Sequence, residues 1–353
     1  MKTLLVTGGA GFIGANFVHY WTGQYPDDKL IVLDALTYAG NSSSIADVTN
    51  VELVISSIED TARVESLLRE HRISTIVHFA AESHVDRSID GPDAFVQTNV
   101  VGTHSLLKAA RNAWLSGSGV EHRFHHVSTD EVYGSLGPQD PAFHELTPYA
   151  PNSPYSASKA ASDHLVRAYH HTYGLQTTTT NCSNNYGPFQ FPEKLIPLFL
   201  LSALHGRSLP IYGDGQNVRD WLYVHDHCRA IELVLDKGRI GEVYNVGGGA
   251  ELPNLEVIDI LCELVDAAFA KDDRLASRFP HAPAAWGLNT ATLKKYVADR
   301  AGHDRRYAID KRKISEELGY KPSVAFKVGI ERTLSWYLSN EDWWRLILER
   351  HHR

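Results

Sequence analysis

A tyrosine and a lysine, Tyr155 and Lys159, stand four positions apart in a stretch that predicts a helix over residues 155–173. Residues at this spacing lie on one helix face, so both side chains can reach the same reacting group. A neighbouring ammonium favours a phenolate and is expected to lower the tyrosine pKa towards working pH. The pair can therefore take a proton from an alcohol, although a Tyr and a Lys at this spacing also occur by chance in many helices.

A threonine and two acids, Thr129, Asp130 and Glu131, directly follow a predicted strand. The threonine hydroxyl can hydrogen-bond a substrate hydroxyl beside the tyrosine. Hydride transfer needs no further acid or base, whereas an elimination uses one carboxylate to remove a carbon-bound proton and a protonated one to assist a leaving hydroxyl. An isolated Asp-Glu is usually a solvated group at a helix N-terminus. The carboxyl end of a parallel strand favours a site, because open α/β sheets bind ligands there.

A glycine-rich segment, Gly8–Gly14, follows the first predicted strand and opens the first predicted helix. Its glycines permit a tight turn and let the backbone approach a pyrophosphate, to which the helix N-terminus offers N–H groups. Asp34 ends the second predicted strand, 20 residues after Gly14, where a carboxylate can accept the ribose hydroxyls. An acid there also repels a 2′-phosphate, so the sequence favours NAD over NADP.

Alternating strands and helices must position these groups. The predicted strands are Thr3–Thr7, Leu30–Asp34, Val51–Ser56, Thr75–Ala80 and Phe124–Ser128, and the predicted helices between them are Gly14–Tyr25, Ala62–His71 and Phe95–Trp114. Continuous apolar strands alternating with helices indicate an α/β fold with a doubly wound parallel sheet, the Rossmann arrangement. We expect a NAD-binding domain over residues 1–180 and a smaller α/β substrate-binding domain over 181–353, with later segments returning to the first sheet. Residues 270–289 are expected to form an irregular insertion.

The composition excludes several functions. Lys and Arg number 34 against 42 Asp and Glu, a formal net charge of −8, which argues against general binding to nucleic acid or anionic membranes. Cys182, Cys228 and Cys262 stand more than thirty residues apart, which predicts reduced packing residues. The histidines give no metal-ligand spacing, so no metal site is expected. The N-terminus lacks a signal-peptide pattern and the most apolar stretch, Leu195–Leu204, is too short to span a bilayer, so we expect a soluble cytoplasmic protein.

The glycine turn, Asp34 and the Tyr–Lys pair together resemble the short-chain dehydrogenase/reductases. Within that group, nearly the whole chain is similar to the dTDP-glucose 4,6-dehydratase family. The matching segments are Thr7–Gly14, Leu33–Asn41, His78–Ile89, His126–Gly134, Pro154–Leu165, Asn181–Leu198, Tyr212–His227 and Val297–Asp310. The Thr-Asp-Glu triplet separates these dehydratases from the sugar-nucleotide epimerases, which generally lack the acid pair.

The resemblance implies a site divided among catalysis, NAD and a nucleoside diphosphate-hexose. It implies that Thr129 assists catalysis, Asp130 is the general acid, Glu131 the general base, and Tyr155 with Lys159 the redox base. The cofactor-binding residues that it implies, besides Tyr155 and Lys159, are Gly8, Gly11, Phe12, Ile13, Gly14, Asp34, Ala35, Leu36, Thr37, Ser57, Ile58, Ala80, Ala81, Glu82, Ser83, Asn99 and Asn185. The substrate-binding residues that it implies, besides Thr129, are His84, Asn184, Lys194, Leu195, Pro210, Ile211, Tyr212, Arg219, Asn254, Asp299, Arg300, Ala301, Gly302 and His303.

The implied reaction oxidises C4 of dTDP-glucose, eliminates water across C5–C6 and returns the hydride to C6, giving a 4-keto-6-deoxy sugar nucleotide for deoxysugars such as rhamnose. A homodimer joined through the helices near 95–114 and 154–173 is also implied, although their apolar residues could equally be intramolecular core. An epimerase or decarboxylase on the same scaffold would share the Tyr–Lys oxidation but would not need Asp130. A regulator that senses NAD without turnover would need neither Tyr155 nor Lys159.

The chain departs from the family pattern at two positions. Ser57-Ile58 stands where an acidic residue usually precedes isoleucine and meets the adenine amino group, so Glu59 or a water must replace that acid. Ala301 stands where proline is common, which predicts a less rigid loop. Because the protein is acidic, local cations must hold a diphosphate, and the candidates are Lys194, Arg219, Arg300, Arg305 and Arg306. For Arg305 and Arg306 a surface ion pair is an equal alternative.

Overall fold

The computed structural model describes residues 2–116, 121–299 and 303–351. The strands are β1 (Thr3–Thr7), β2 (Lys29–Asp34), β3 (Val51–Ile55), β4 (Thr75–His78), β5 (Arg123–Thr129), β6 (Thr177–Cys182), β7 (Asn184–Tyr186), β8 (Leu209–Tyr212), β9 (Val218–Tyr223), β10 (Val243–Val246), β11 (Glu251–Pro253) and β12 (Lys294–Val297). The helices are α1 (Phe12–Gln24), α2 (Thr61–Glu70), α3 (Val85–Asp90), α4 (Asp93–Phe95), α5 (Thr103–Trp114), α6 (Pro154–Tyr173), α7 (Leu195–Leu204), α8 (Val224–Lys237), α9 (Asn254–Lys271), α10 (Arg274–Arg278), α11 (Arg312–Leu318), α12 (Phe326–Ser339) and α13 (Glu341–His351).

The main sheet is parallel, with strand order β10-β6-β5-β4-β1-β2-β3. The register aligns the strand ends: Thr7 lies opposite both Leu33 and His78, and Thr129 lies opposite Cys182. The order reverses between β1 and β4, which is where a doubly wound sheet opens a crevice for ligands. The predicted doubly wound fold is confirmed, and each predicted strand ends within two residues of an observed one.

Apolar layers cover both faces of the main sheet, as continuous apolar strands require. On one face, Phe17 and Val18 of α1 pack with Cys228 and Ile231 of α8. On the other face, buried side chains of α2, α5 and α6 form one cluster that includes Leu67, Leu107 and Val166. The helices therefore hold the strand ends in fixed positions on both faces of the sheet.

The smaller region contains a three-stranded sheet of order β11-β9-β7 and a two-stranded sheet of β12 and β8. Its apolar core joins α7, α9, α12 and α13, with buried side chains that include Leu200, Leu261, Ile330 and Trp344. Strand β10 pairs with β6 in the main sheet, so the chain returns there after residue 181. The division at residue 180 stays a prediction. Residues 270–289, which were expected to form an irregular insertion, instead contain α10 and a 3₁₀ turn over Pro283–Trp286, with Phe279 buried between them.

The helix predicted over Phe95–Trp114 is not regular. Val96–Gly102 form π-helical turns between α4 and α5. The wider turns carry Asn99 inward, where its Oδ1 accepts from the Glu82 N–H and its Nδ2 donates to the Glu82 carbonyl and to Ser158 Oγ, at 2.8–2.9 Å. Such π segments are frequent at functional sites, and this one fixes the loop that follows β4.

No described helix is long and apolar enough to cross a membrane.

Candidate active site

A cavity of about 600 Å³ lies at the carboxyl edge of the main sheet, where the strand order reverses. Gly8, Asp34, Ala80 and Thr129, which end or follow β1, β2, β4 and β5, line one side of it. Residues of the smaller region, including Arg219, line the other side. The cavity is therefore placed where the fold predicts a ligand site, and its lining extends from the glycine turn, the cofactor end, to the smaller region, the substrate end.

The glycine turn at the cofactor end is too tight for any other residue. A Cβ on Gly14 would lie 2.2 Å from the Gly8 carbonyl oxygen. Gly8 has a φ of +69°, and a Cβ there would lie 2.6 Å from the Ala80 backbone nitrogen. The backbone thus exposes the N-terminus of α1, whose N-cap, Gly11, has no side chain to occupy the free N–H groups. This cradle fits the pyrophosphate of a dinucleotide.

Asp34 joins the glycine turn to the loop after β2. Its buried carboxylate accepts hydrogen bonds from the Ala10 N–H at 2.9 Å and the Leu36 N–H at 2.8 Å. Burial raises the pKa of this carboxyl, and the two N–H donors lower it. The carboxylate also lines the cavity, so it keeps lone pairs for ribose hydroxyls.

Glu59 lies close to Ser57, the position at which the chain lacks the acid of the family pattern. Ser57, Ile58 and Glu59 all line the cavity. Ser57 Oγ accepts from the Glu59 N–H at 3.2 Å, and Gln97 Nε2 donates to Glu59 Oε2 at 2.5 Å. A fixed carboxylate therefore stands two residues beyond the position of the family acid.

Helix α6 presents Tyr155 and Lys159 to the cavity. It begins there because Ser153 and Ser156 form a reciprocal capping box around Pro154 at the first turn. Lys159 Nζ donates to the Val127 carbonyl oxygen at 2.9 Å, and burial lowers the pKa of this lysine.

The expectation that Lys159 brings the Tyr155 pKa down towards working pH is wrong, because the net shift is upward. Burial raises the pKa of Tyr155 well above its usual value, and the Glu131 carboxylate raises it further. A hydrogen bond with Thr129 lowers it, but by less than burial raises it. The groups of the protein alone therefore keep Tyr155 as a neutral phenol, which is hydrogen-bonded to Thr129.

The acid pair stands on a 3₁₀ turn over Asp130–Tyr133, directly after β5. Thr129 caps this turn, because its Oγ1 accepts from the Glu131 N–H at 3.2 Å. Asp130 is only 1% exposed, and its Oδ2 has no hydrogen-bond partner among the described residues. Burial raises the pKa of Asp130 well above its usual range, the Glu131 and Asp220 carboxylates add to this, and Arg219 opposes it. Burial therefore favours the protonated form of Asp130, which has a proton to give, beside a half-buried carboxylate.

Arg219 is buried at the substrate end. Its guanidinium donates to the carbonyl oxygens of Val218 and Asp304 at 2.8 and 3.0 Å and lies 4.4 Å from the centre of the Tyr307 ring. Arg305 and Arg306 instead form ion pairs with Asp214 and Glu251, at 2.8 and 2.9 Å, and do not line the cavity.

The cavity brings together most of the predicted residues. All five predicted catalytic residues line it, together with these cofactor candidates: Gly8, Gly11, Phe12, Ile13, Gly14, Asp34, Ala35, Thr37, Ser57, Ile58, Ala80, Ala81, Glu82, Ser83 and Asn185. The substrate candidates that line it are His84, Asn184, Lys194, Leu195, Pro210, Ile211, Tyr212, Arg219, Asn254 and His303. Leu36, Asn99 and Asp299 do not line it. Asp299 accepts from His303 Nδ1 at 2.6 Å, whereas Arg300, Ala301 and Gly302 lie outside the described residues.

Sequence reasoning missed a contact among three side chains, two of which, Tyr38 and Glu193, line the cavity. Tyr38 donates to Glu193 at 3.1 Å, and Arg87 pairs with the same carboxylate at 3.3 Å while its guanidinium lies 3.8 Å from the Tyr38 ring centre. Tyr307, which also lines the cavity, was missed as well. All of them lie in the segments that resemble the dehydratases, which was the available signal.

The fold and the site define a class: a Rossmann-fold enzyme of the short-chain dehydrogenase/reductase type, with an acid pair added beside its Tyr–Lys pair. The model of the GDP-mannose 4,6 dehydratase family matches residues 5–333. A dTDP-glucose 4,6-dehydratase of Xanthomonas campestris pv. campestris (strain B100) is 54% identical, over 100% of this chain and 98% of that protein. The dTDP-glucose 4,6-dehydratase 1 of Escherichia coli (strain K12) is 50% identical, over 96% of this chain and 94% of that protein. The chain belongs to the dTDP-glucose 4,6-dehydratase family.

Solved structures agree with this assignment. The dTDP-glucose 4,6-dehydratase of Streptomyces venezuelae, solved with NAD bound, is 49% identical with a TM-score of 0.86, covering 98% of this chain and 100% of that one. The UDP-glucose 4-epimerase of Thermotoga maritima, solved with UDP-glucose, is 28% identical with a TM-score of 0.82, covering 96% and 100%. The scaffold is thus shared with epimerases, while the identity is far higher to the dehydratase.

Proposed function

We propose that this protein converts dTDP-glucose to dTDP-4-keto-6-deoxyglucose, a precursor of deoxysugars, with NAD as its cofactor. The observation that carries the proposal is the buried Asp130 beside Glu131, in the same cavity as Tyr155 and the dinucleotide cradle. A dehydrogenation alone has no use for this acid pair, whereas an elimination uses both members.

The first step uses Tyr155 with Thr129 and Lys159. NAD, when bound by the glycine cradle and Asp34, accepts hydride from C4 of the hexose and returns it to C6. Tyr155 first releases its own proton to solvent and then, as the phenolate, takes the proton of the C4 hydroxyl, while its hydrogen bond with Thr129 orients the oxygen for this transfer. Lys159, anchored on the Val127 carbonyl, contributes a positive charge that favours the phenolate.

The elimination uses the acid pair. The 4-ketone acidifies the C5 proton, which the Glu131 carboxylate takes. Asp130 gives its proton to the departing C6 hydroxyl, so that water is lost across C5–C6. The low exposure of Asp130 keeps this proton from bulk water until the hydroxyl is in place. A proton then returns to C5.

The substrate end holds the charged part of the sugar nucleotide. Its diphosphate carries about two negative charges, and the buried Arg219 offers a preorganised cation, since its guanidinium is already fixed by two carbonyl oxygens. Lys194 lines the same cavity and donates to the Ser83 carbonyl at 2.8 Å. Tyr212 and Asn254 line the region beyond, where we place the nucleoside.

Deuterium placed at C4 of dTDP-glucose tests the proposal. We expect the label at C6 of the product, within the same sugar molecule, and in heavy water we expect solvent deuterium at C5. Mass spectrometry of a mixture of labelled and unlabelled substrates of different mass reads both results. An epimerase would return the label to C4, and a regulator would move no label, so either outcome would refute the assignment.

We also propose a homodimer joined through the π-helical segment and α6. Val96 and Val101 are 52% and 40% exposed, and Ala157 and Ala168 of α6 are exposed too, so both elements keep apolar side chains available to a second copy. Light scattering should show a dimer for the parent chain and a monomer for Val101→Glu. Leu346→Glu, at a position that is 51% exposed on α13, is the control and should stay dimeric. A monomeric parent would refute this proposal.

We place the protein in the cytoplasm, on the support of its cysteines. Cys182, Cys228 and Cys262 are all free thiols and all buried, as suits a reducing compartment. Cell fractionation with detection of the chain checks this placement, and recovery in a secreted fraction would contradict it.

A further inference from the structure

A buried carboxylate that the reaction does not consume lies behind the catalytic centre. Asp163, one helical turn after Lys159 on α6, is 6% exposed and does not line the cavity. His126 Nε2 lies 3.1 Å from its Oδ1, while Ser128 Oγ and Tyr149 OH donate to its Oδ2 at 2.9 and 3.0 Å. A carboxylate with three side-chain partners in the protein interior is held in one geometry.

These hydrogen bonds connect α6 and β5, two elements whose relative position the mechanism depends on. His126 and Ser128 belong to β5, which ends on Thr129. Lys159 Nζ donates to the carbonyl of Val127, the residue between them. Helix α6 is thus hydrogen-bonded to the end of β5 at two points, through Lys159 and through Asp163.

Asp163 also acts on the charge of Lys159. Burial lowers the pKa of Lys159, and the Asp163 carboxylate opposes this by raising it. Conversely, the pKa of Asp163 is raised to about 6, because burial raises it by more than Lys159, Ser128, Tyr149 and His164 lower it. Asp163 is therefore ionised at neutral pH and faces the ammonium.

The other titratable groups around Lys159 are neutral at this pH. Burial lowers the pKa of His78 on β4 and of His126 on β5 well below the usual value, with the nearby ammonium contributing. Burial raises the pKa of the Cys182 thiol on β6 to about 12. The negative charge that favours the Lys159 ammonium from behind is consequently that of Asp163.

We propose that Asp163 is a positioning residue of the redox base: its carboxylate holds the end of β5 against α6 and keeps Lys159 protonated beside Tyr155. The inference rests on the roles proposed above for Tyr155 and Lys159. It adds a residue that makes no contact with substrate or cofactor and acts through the lysine alone.

The test is the pH dependence of turnover in Asp163→Asn, measured with the NAD-loaded enzyme. The amide oxygen still accepts from Ser128 and Tyr149, but the charge is gone. Lys159 then loses its proton at lower pH, so the alkaline limb of the kcat profile should move down by about one to three pH units. The Michaelis constant should stay within about twofold, because Asp163 does not line the cavity. An alkaline limb that stays in place would overturn the inference, whatever happens to thermal stability.

Tyr149→Phe is the matched control. It removes one hydrogen bond to the same carboxylate oxygen but leaves the charge, so its alkaline limb should not move. Its acid limb should stay in place as well, because Lys159 is protonated at low pH whether or not Asp163 carries its charge. If both variants move the alkaline limb equally, altered packing rather than charge is the cause and the inference is wrong.

Two further outcomes separate the possible failures. If Asp163→Asn does not fold, Asp163→Ser, which also removes the charge, decides, and an alkaline limb that stays in the parent position overturns the inference. Lys159→Met tests the underlying roles: turnover at the parent rate in that variant would refute the proposed redox base itself. Loss of turnover in Lys159→Met together with an unchanged profile in Asp163→Asn would refute the role of Asp163 alone.

Discussion

Replacing Asp130 with asparagine separates the chemistry of this residue from its packing. The side chain is buried, and its pKa is raised well above the usual range, which favours the neutral acid in the parent. Asparagine has nearly the same shape and is also neutral. The substitution therefore removes a transferable proton without creating or removing a buried charge.

The expected effect on rate follows from the loss of general acid assistance, which is worth roughly 10²–10⁴-fold, or about 2.7–5.5 kcal/mol of barrier. The expected effect on stability has the opposite sign. A carboxyl whose pKa is higher in the folded chain than in the unfolded chain costs stability above its unfolded pKa, near 4. The cost is about 1.4 kcal/mol for each pH unit that separates the folded pKa from the unfolded one. Asp130→Asn removes this cost, so the variant should gain stability over the parent as pH rises from about 4 to about 8.

Two assays measure the two effects. Formation of the 4-keto product gives the dehydration rate, and urea unfolding at about pH 4 and about pH 8 gives the stability difference. Asp47→Asn, at an exposed position outside the cavity, is the control and should change neither. Dehydration at the parent rate would refute the role of Asp130 as the acid. A variant that loses stability against the parent between about pH 4 and about pH 8 would show that the buried group of the parent is ionised rather than neutral.

Three other predictions follow from the same structure. Tyr155→Phe should abolish turnover but keep NAD binding, because it removes the hydroxyl and little shape; near-normal activity would contradict the redox role. Arg219→Ala should raise the substrate dissociation constant roughly 10–100-fold, since a charge-assisted hydrogen bond contributes about 1.5–3 kcal/mol. The same change should affect NAD affinity far less. Calorimetry with each ligand measures both affinities, and equal losses for the two ligands would contradict the prediction. The fully buried histidines should make the folded state less stable in acid. Burial lowers the pKa of His227 to about 3, whereas the unfolded chain has a pKa of about 6.5 at this residue. The stability that neutral His227 contributes is therefore complete above about pH 6.5 and is lost as pH falls, at about 1.4 kcal/mol for each pH unit. Urea unfolding of His227→Gln against the parent at about pH 5 and about pH 7 measures this, and parallel changes in the two chains would exclude it.

Local patterns in the sequence determined much of the fold and of the cofactor end. The apolar runs that become β1 to β5 are recognisable because a strand buried on both faces needs continuous apolar residues. The glycine turn is equally local, since neighbouring backbone atoms leave no room for a side chain at Gly14. The four-residue spacing of Tyr155 and Lys159 likewise settles that they share a face of α6.

Only the tertiary structure decided how these groups behave. The sequence predicted that Lys159 would lower the Tyr155 pKa, yet burial from all sides outweighs a single neighbour and raises it. The π-helical turns that bury Asn99 are set by its bonds to the loop after β4 and to α6, which no local pattern encodes. Sequence placed Asp130 next to Glu131, but a carboxyl stays neutral only when distant segments exclude water from it. Desolvation sums over contacts between residues far apart in the chain, and for that reason the acid of this site becomes an acid only in the folded protein.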